Sequence, residues 1–311
     1  VTAAKVFKTH AEQIALLRSR GMIIDDPAWA RHVLERVNYY RLSGYWYSFR
    51  VPDHDGRSRA DRFSDGTDLV DVVALYDFDI RLRTAVFATL GPIELVFRSM
   101  LGHELGRIDP LVHLQPRLLG PVARLSGSDA EPSSTYTRWR NHYQRELAQS
   151  REDFVAHHRR KYGGHMPIWA AVEVMDWGQM AYLFQLAPID VRDRIATRTW
   201  LTAAQLGSWL KSLNVLRNYS AHHARMFNRV YTLKPRLPRG TMHPGLAELE
   251  RPVNRTFGHL CLIQYLGEVL DAGDSALLPS VLATYPTVPL VPISHCGVPD
   301  DWQNHPLWRS P

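Results

Sequence analysis

Apolar residues recur along this chain mostly at three- and four-residue spacing, and no convincing run of strict alternation interrupts them. That pattern predicts helices and little sheet. A first helix is expected over residues 2 to 20, with Val6, Phe7, Ile14, Leu16 and Leu17 as its apolar side and Gly21 closing it. Asp25 or Asp26 before Pro27 marks a second start, an acidic cap with proline in the first turn, and this helix runs to about Tyr40. Thr67 or Asp68 caps a long helix through Leu69, Val72, Leu75, Phe78, Leu82 and Val86, with a kink or break expected at Gly91–Pro92. A basic helix follows from Tyr136 to about Tyr162. Next comes an apolar core helix from Pro167 to Leu186, broken near Gly178, and another helix over residues 188 to 200. Leu246 to Leu270 is helical in pattern, and the prolines recurring from Pro279 to Pro311 exclude long helices in the tail. Residues 52 to 68 and 107 to 135 read as loops. The expected fold is all-α: a helical bundle over 61–240, an N-terminal helical and aromatic extension over 1–60, and a C-terminal helix with a proline-rich tail over 241–311.

The stretch Trp209–Val230, WLKSLNVLRNYSAHHARMFNRV, holds neither proline nor glycine and reads as one amphipathic helix. With Arg217 at zero on a wheel of about 100° per residue, Arg225, Asn218, Arg229 and His222 fall between about 80° and 140°. Leu213, Leu216, Tyr219, Phe227 and Val230 gather on the other side, and His223 faces them. The polar face admits two readings. It is a solvated surface, or it is a site where an imidazole moves protons near neutral pH and an arginine forks onto phosphate oxygens. Those groups suit RNA cleavage by internal transfer from the ribose 2′-oxygen.

Charge and aromatic content add candidates. The pairs Asp77/Arg81 and Asp79/Arg83 are spaced to support an isolated helix. The pair Glu94/Arg98, with Glu173 in the apolar helix, is a structural or orienting set; a carboxylate at Glu173 needs a partner. Six of the twelve residues from Asn38 to Phe49 are aromatic. Packed against helices they form an anchor, the favoured reading; interleaved with Arg41 they form a base-stacking platform with Tyr45. Arg225 and Arg229, and Arg159, Arg160 and Lys161 at the end of the basic helix, are candidate RNA contacts. The net charge of +6 permits a polyanionic partner without requiring one. The two cysteines, Cys261 and Cys296, make neither a disulfide framework nor a zinc set, so a cytoplasmic protein is expected. His157, His158 and His165 lack acidic or cysteine partners at ligand spacing, so no metal site is expected. No cofactor motif is present, and no unbroken apolar run of about 18 residues suggests a membrane span.

Five blocks in order carry a resemblance: Gly21–Phe49 with NYYRLSGYWYSF, LYDFDIRLR (Leu75–Arg83), IELVFR (Ile93–Arg98), Pro167-Ile168-Trp169 with Glu173 and Gly178, and LRNYSAHHARMFNR (Leu216–Arg229). Together they resemble the Abi-like proteins of the AbiD/AbiF type, a branch of the HEPN superfamily that acts in bacterial abortive-infection defence. The resemblance implies a HEPN-like bundle and metal-independent endoribonuclease activity leaving 2′,3′-cyclic phosphate and 5′-OH ends. Its arginine–histidine motif maps onto Arg217, Asn218 and His222. It further implies a homodimer with a composite site, and an antitoxin that is a small RNA or a protein. Some relatives in the superfamily bind RNA without cutting it, and that is the alternative.

Overall fold

The computed structural model describes residues 4–53, 58–125, 134–238, 244–247, 249 and 253–308. The described chain is mostly helical, as the spacing predicts. Its helices are α1 (His10–Ser19), α2 (Pro27–Arg36), α3 (Tyr39–Trp46), α4 (Leu69–Gly106), α5 (Thr135–Gln149), α6 (Asp153–Lys161), α7 (Ile168–Ala171), α8 (Trp177–Leu186), α9 (Ile189–Thr197), α10 (Ala203–Ala221), α11 (Pro244–Ala247), α12 (Thr256–Val269) and α13 (Leu277–Leu282). A short antiparallel pair, β1 (Arg50–Pro52) and β2 (Arg59–Phe63), lies mostly within the stretch expected to be loop.

The axis of the fold is α4. It starts where Asp68 accepts a hydrogen bond from the Val70 amide (2.8 Å) and runs for 38 residues, about 57 Å at 1.5 Å per residue. The expected kink or break at Gly91–Pro92 does not end it: proline lies inside the helix. Its neighbours α3, α7, α9, α10, α12 and α13 pack along its length. Burial on several sides supplies the cohesion that one missing backbone hydrogen bond removes. One window of α4 is long and apolar enough to cross a membrane, but 56% of it is buried inside the fold.

Local capping moves several other boundaries. Thr9 and Glu12 form a capping box that starts α1 at His10, which leaves Val6 and Phe7 exposed before the helix. The basic helix is two helices, because the chain is extended at Ser150 and Glu152. The apolar stretch from Pro167 is α7, one 3₁₀ turn and α8. Met175 is extended, and Asp176 with Gln179 builds a capping box, so the break precedes Gly178. The C-terminal helix begins at Thr256 rather than Leu246; part of the intervening stretch is outside the described residues. The tail forms α13 and 3₁₀ turns, and buries Trp302, Leu307 and Trp308 against the body. Trp308 stacks on Phe257 of α12 at 5.6 Å.

The helix carrying the arginine–histidine motif ends nine residues sooner than expected, at Ala221 instead of Val230. His222 is the cap, and His223 adopts a left-handed conformation with φ 56°. The Ala224 amide then reaches back to the Tyr219 carbonyl (2.9 Å), the closing bond of a Schellman turn. His223 is therefore exposed at a turn and does not face the apolar side of a helix.

What holds that turn is a buried cluster on α3 and α4. Asp79 is fully buried and pairs with Arg83. It accepts from the Tyr45 hydroxyl (2.6 Å), the Phe227 amide (2.7 Å) and the Met226 amide (3.2 Å). Burial pushes the Asp79 carboxyl up, while Arg83, Tyr45 and the two amides pull it back down. Thus the Asp79/Arg83 pair, expected as helix-surface support, is instead a core clamp on the segment after the motif. Arg81 likewise leaves Asp77 and donates to Thr284.

Candidate active site

Helix α8 packs against both α5 and α10. The space above its N-terminus, between those two helices, is a cleft of about 580 Å³. From α10 come Asn214, Arg217, Asn218 and, at the cap, His222; from α5 come Thr135, Arg138, Trp139 and His142. The floor is the start of α8, Asp176 to Gln179, with Tyr182 one turn on. The three residues of the motif thus reach one cavity. Asn214, Asn218 and His222 are four residues apart, so they stand in a row along the cleft.

Arg217 is placed by α4. Its Nε lies 4.0 Å from Glu94 Oε2, and its guanidinium sits over the Phe87 ring, 5.7 Å from the centroid. Glu94 also accepts from Arg98 Nη2 at 2.8 Å. Arg98 in turn donates to the carbonyls of Val172 and Glu173, both at 2.9 Å. This chain fixes the Glu94 carboxylate between two arginines, and it is largely buried, with its side chain 14% exposed. Glu173 contributes chiefly through its backbone. Its side chain is half-exposed and reaches Arg98 at 3.7 Å, so it did not need a buried partner.

His222 is exposed and stands on a ridge. One side is the cleft already described. The other is a broader groove of about 850 Å³, lined by Arg41, Tyr76, Ile80, Phe87 and His223 among others. On the α5 wall, His142 Nε2 lies 3.5 Å from Glu146 Oε1 and 4.0 Å from Asp176 Oδ2. Beneath that wall His113 is fully buried, edge-on against the stacked rings of Trp139 and Tyr143.

Most of the expected RNA contacts are not at this cleft. Tyr45 is 1% exposed and committed to Asp79. Arg225 donates to the Gly44 carbonyl and Arg41 to the His223 carbonyl. Arg229 donates to the Tyr219 hydroxyl (2.7 Å) and covers its ring. Tyr45, Arg225 and Arg41 pin the turn after α10 to the aromatic block, and Arg229 ties it back to α10 itself, because the helix that would have aligned Arg225 and Arg229 with Arg217 has already ended. The block is accordingly an anchor, with Tyr45, Trp46 and Phe49 buried. Arg159, Arg160 and Lys161 are exposed at the end of α6 and do not line the cleft; Arg159 caps α5 by donating to the Leu147 carbonyl (2.5 Å). Sequence reasoning missed Asn214, whose spacing from Asn218 and His222 was a usable signal. It also missed His142 and Asp176, which only the packing of α5 and α8 brings to α10. Among the described residues no group of His, Cys, Asp or Glu side chains is arranged to hold a metal ion.

A sequence model of the Abi-like protein family matches residues 32–228, from within α2 to the turn that Asp79 clamps. No curated protein and no solved structure matches the chain.

Proposed function

The chain belongs to the Abi-like protein family, which is associated with abortive infection, and on that premise we propose that it is an endoribonuclease acting as a defence effector. One observation carries the reading: Arg217, Asn218 and His222 open onto a single cleft, and Glu94 holds the arginine there from a different helix. His222 moves a proton between the ribose 2′-oxygen, the phosphate and solvent. Arg217 meets the charge gathering on the phosphoryl oxygens, as a planar fork suits. Asn218 positions the phosphate or the ring. The products are a 2′,3′-cyclic phosphate and a 5′-OH, and DNA is spared because it lacks the nucleophile.

Incubating the purified protein with total RNA, wild type beside His222→Ala, tests the reading. Loss of a proton-transfer group is expected to slow cutting by about 10² to 10⁴, with melting unchanged because the side chain is exposed. Cleavage that survives the substitution sinks the mechanism. A second reading, RNA binding without cutting, is favoured by the exposed cations Arg160 and Lys161 outside the cleft. It expects salt-dependent retention of a structured RNA, substrate or antitoxin, with no products.

A further inference from the structure

We propose that the floor of the cleft is a nucleobase pocket that selects guanine beside the scissile phosphate. The inference rests on the endoribonuclease reading for the class of ligand and deepens it by naming the base.

The floor carries polar groups that the arginine–histidine motif does not use. Asp176 caps α8 with one oxygen only: the Gln179 amide donates to its Oδ1 at 2.7 Å. Its Oδ2 makes no hydrogen bond among the described residues, and His142 Nε2 stands 4.0 Å away. The Asp176 side chain is half-exposed and lines the cleft. Facing it from α10 is Asn214, whose amide has no protein partner among the described residues. Gly178 lets the two come close. A Cβ built there would lie 3.2 Å from Asp176 Oδ1 and 3.4 Å from Asn214 Nδ2. Gln179 lines the same floor; it is 2% exposed, and its Nε2 is buried with no partner. Four residues beyond Gly178, so on the same face of α8, Tyr182 is 50% exposed and lines the cleft.

A flat ring seated on Tyr182 presents its edge to a free carboxylate oxygen and a free amide. Single-stranded RNA is read in this way, by stacking and by hydrogen bonds to the Watson–Crick edge. Of the four bases, guanine alone has two adjacent donors on that edge, N1–H and the N2 amino group, and both suit a carboxylate. Its O6 beside them accepts from the Asn214 amide. Adenine and cytosine each set a ring acceptor next to their amino group, and uracil flanks its single donor with two carbonyls, so each turns a lone pair toward Asp176. Asn214 and His222 are eight residues apart, about 12 Å along the helix. That separation leaves the scissile phosphate with Arg217 and His222 and the base of a flanking nucleotide on the floor.

The test uses short RNAs carrying one guanosine, inosine or adenosine in a uridine background. Each is made as ordinary RNA for cleavage and as 2′-O-methyl RNA, which lacks the nucleophile, for binding by fluorescence anisotropy. Wild type is expected to favour guanosine over adenosine by about 10- to 100-fold in both assays, with inosine, which lacks the N2 amino group, in between. In Asp176→Asn the side-chain oxygen stays on the cap and the NH₂ takes the place of Oδ2, so donor faces donor. That variant is expected to melt as wild type does, since Asn caps as well as Asp, and to bring the three bases within about threefold of one another. Tyr182→Ala weakens binding of all three alike, by about tenfold, because stacking tolerates any base. The proposal is overturned if wild type prefers no base, if Asp176→Asn keeps the guanosine preference, or if Tyr182→Ala binds as tightly as wild type. Wild type that cuts nothing yet prefers the 2′-O-methyl guanosine strand overturns the endoribonuclease reading and supports the pocket. Neither cutting nor preference overturns both.

Discussion

Acidification should loosen this protein through one residue, His113. The ring is fully buried against Trp139 and Tyr143, and neither nitrogen has a hydrogen-bond partner among the described residues. Burial pushes it down to about 4, and the nearby Asp109 offsets this only in part. In the unfolded chain the ring titrates at its ordinary value near 6.5. Between these values the unfolded state binds a proton that the folded state refuses, so stability falls as pH falls through that window. The contribution is complete above about pH 6.5, declines toward about pH 4 and is flat below. At about 1.36 kcal/mol per unit, the full swing is about 3 kcal/mol, and between pH 7.5 and 4.5 about 2.5 kcal/mol of it appears. Urea unfolding of wild type and His113→Leu at those two pH values isolates the term, because groups common to both proteins cancel. Wild type should lose about 2.5 kcal/mol more than the variant on acidification. Equal losses would refute the reasoning, whatever the variant's stability at neutral pH. The Trp139 that covers His113 also lines the cleft, so the same acidification is expected to soften the α5 wall of the site.

Two further outcomes follow from the buried carboxylates. Asp79→Ala leaves Arg83 and the amides of Met226 and Phe227 without their acceptor, so it should cost about 3 to 5 kcal/mol by urea unfolding. A loss under about 1 kcal/mol would show that the clamp is not what holds the turn after α10. Glu94→Gln keeps the shape of the side chain but removes the charge that faces Arg217 and Arg98. Cleavage assays should show a lower kcat, by about tenfold for about 1.4 kcal/mol of lost positioning, with KM little changed. An effect confined to KM would assign Glu94 to substrate binding.

Much of the fold was legible in the pattern alone. Helical spacing marked α4, α8, α10 and α12, and the residues that cap helices named several of the starts, Asp26 and Asp68 among them. The motif Arg217-Asn218-x₃-His222 was legible too, because four- and five-residue spacing puts side chains on one helix face whatever surrounds them. Where local rules erred, tertiary contacts had the larger energy. Gly91–Pro92 reads as a break, yet packing on several sides carries α4 through it. No glycine announces the end of α10. His223 takes the left-handed turn because Asp79, sequence-distant on α4, accepts the amides that follow. A wheel drawn past Ala221 therefore aligned Arg225 and Arg229 with a face they never join.

The sequence by itself thus determined which residues share α10 and that the chain is helical. Only the tertiary structure decided what stands opposite them. Period and capping act over a few residues, whereas the cleft is made by α5 and α8 closing on α10 from far earlier in the chain, residues 135 to 182 meeting residues 214 to 222. Long-range packing is set by which apolar faces find each other, and it is this that brings His142 to the same cavity as His222.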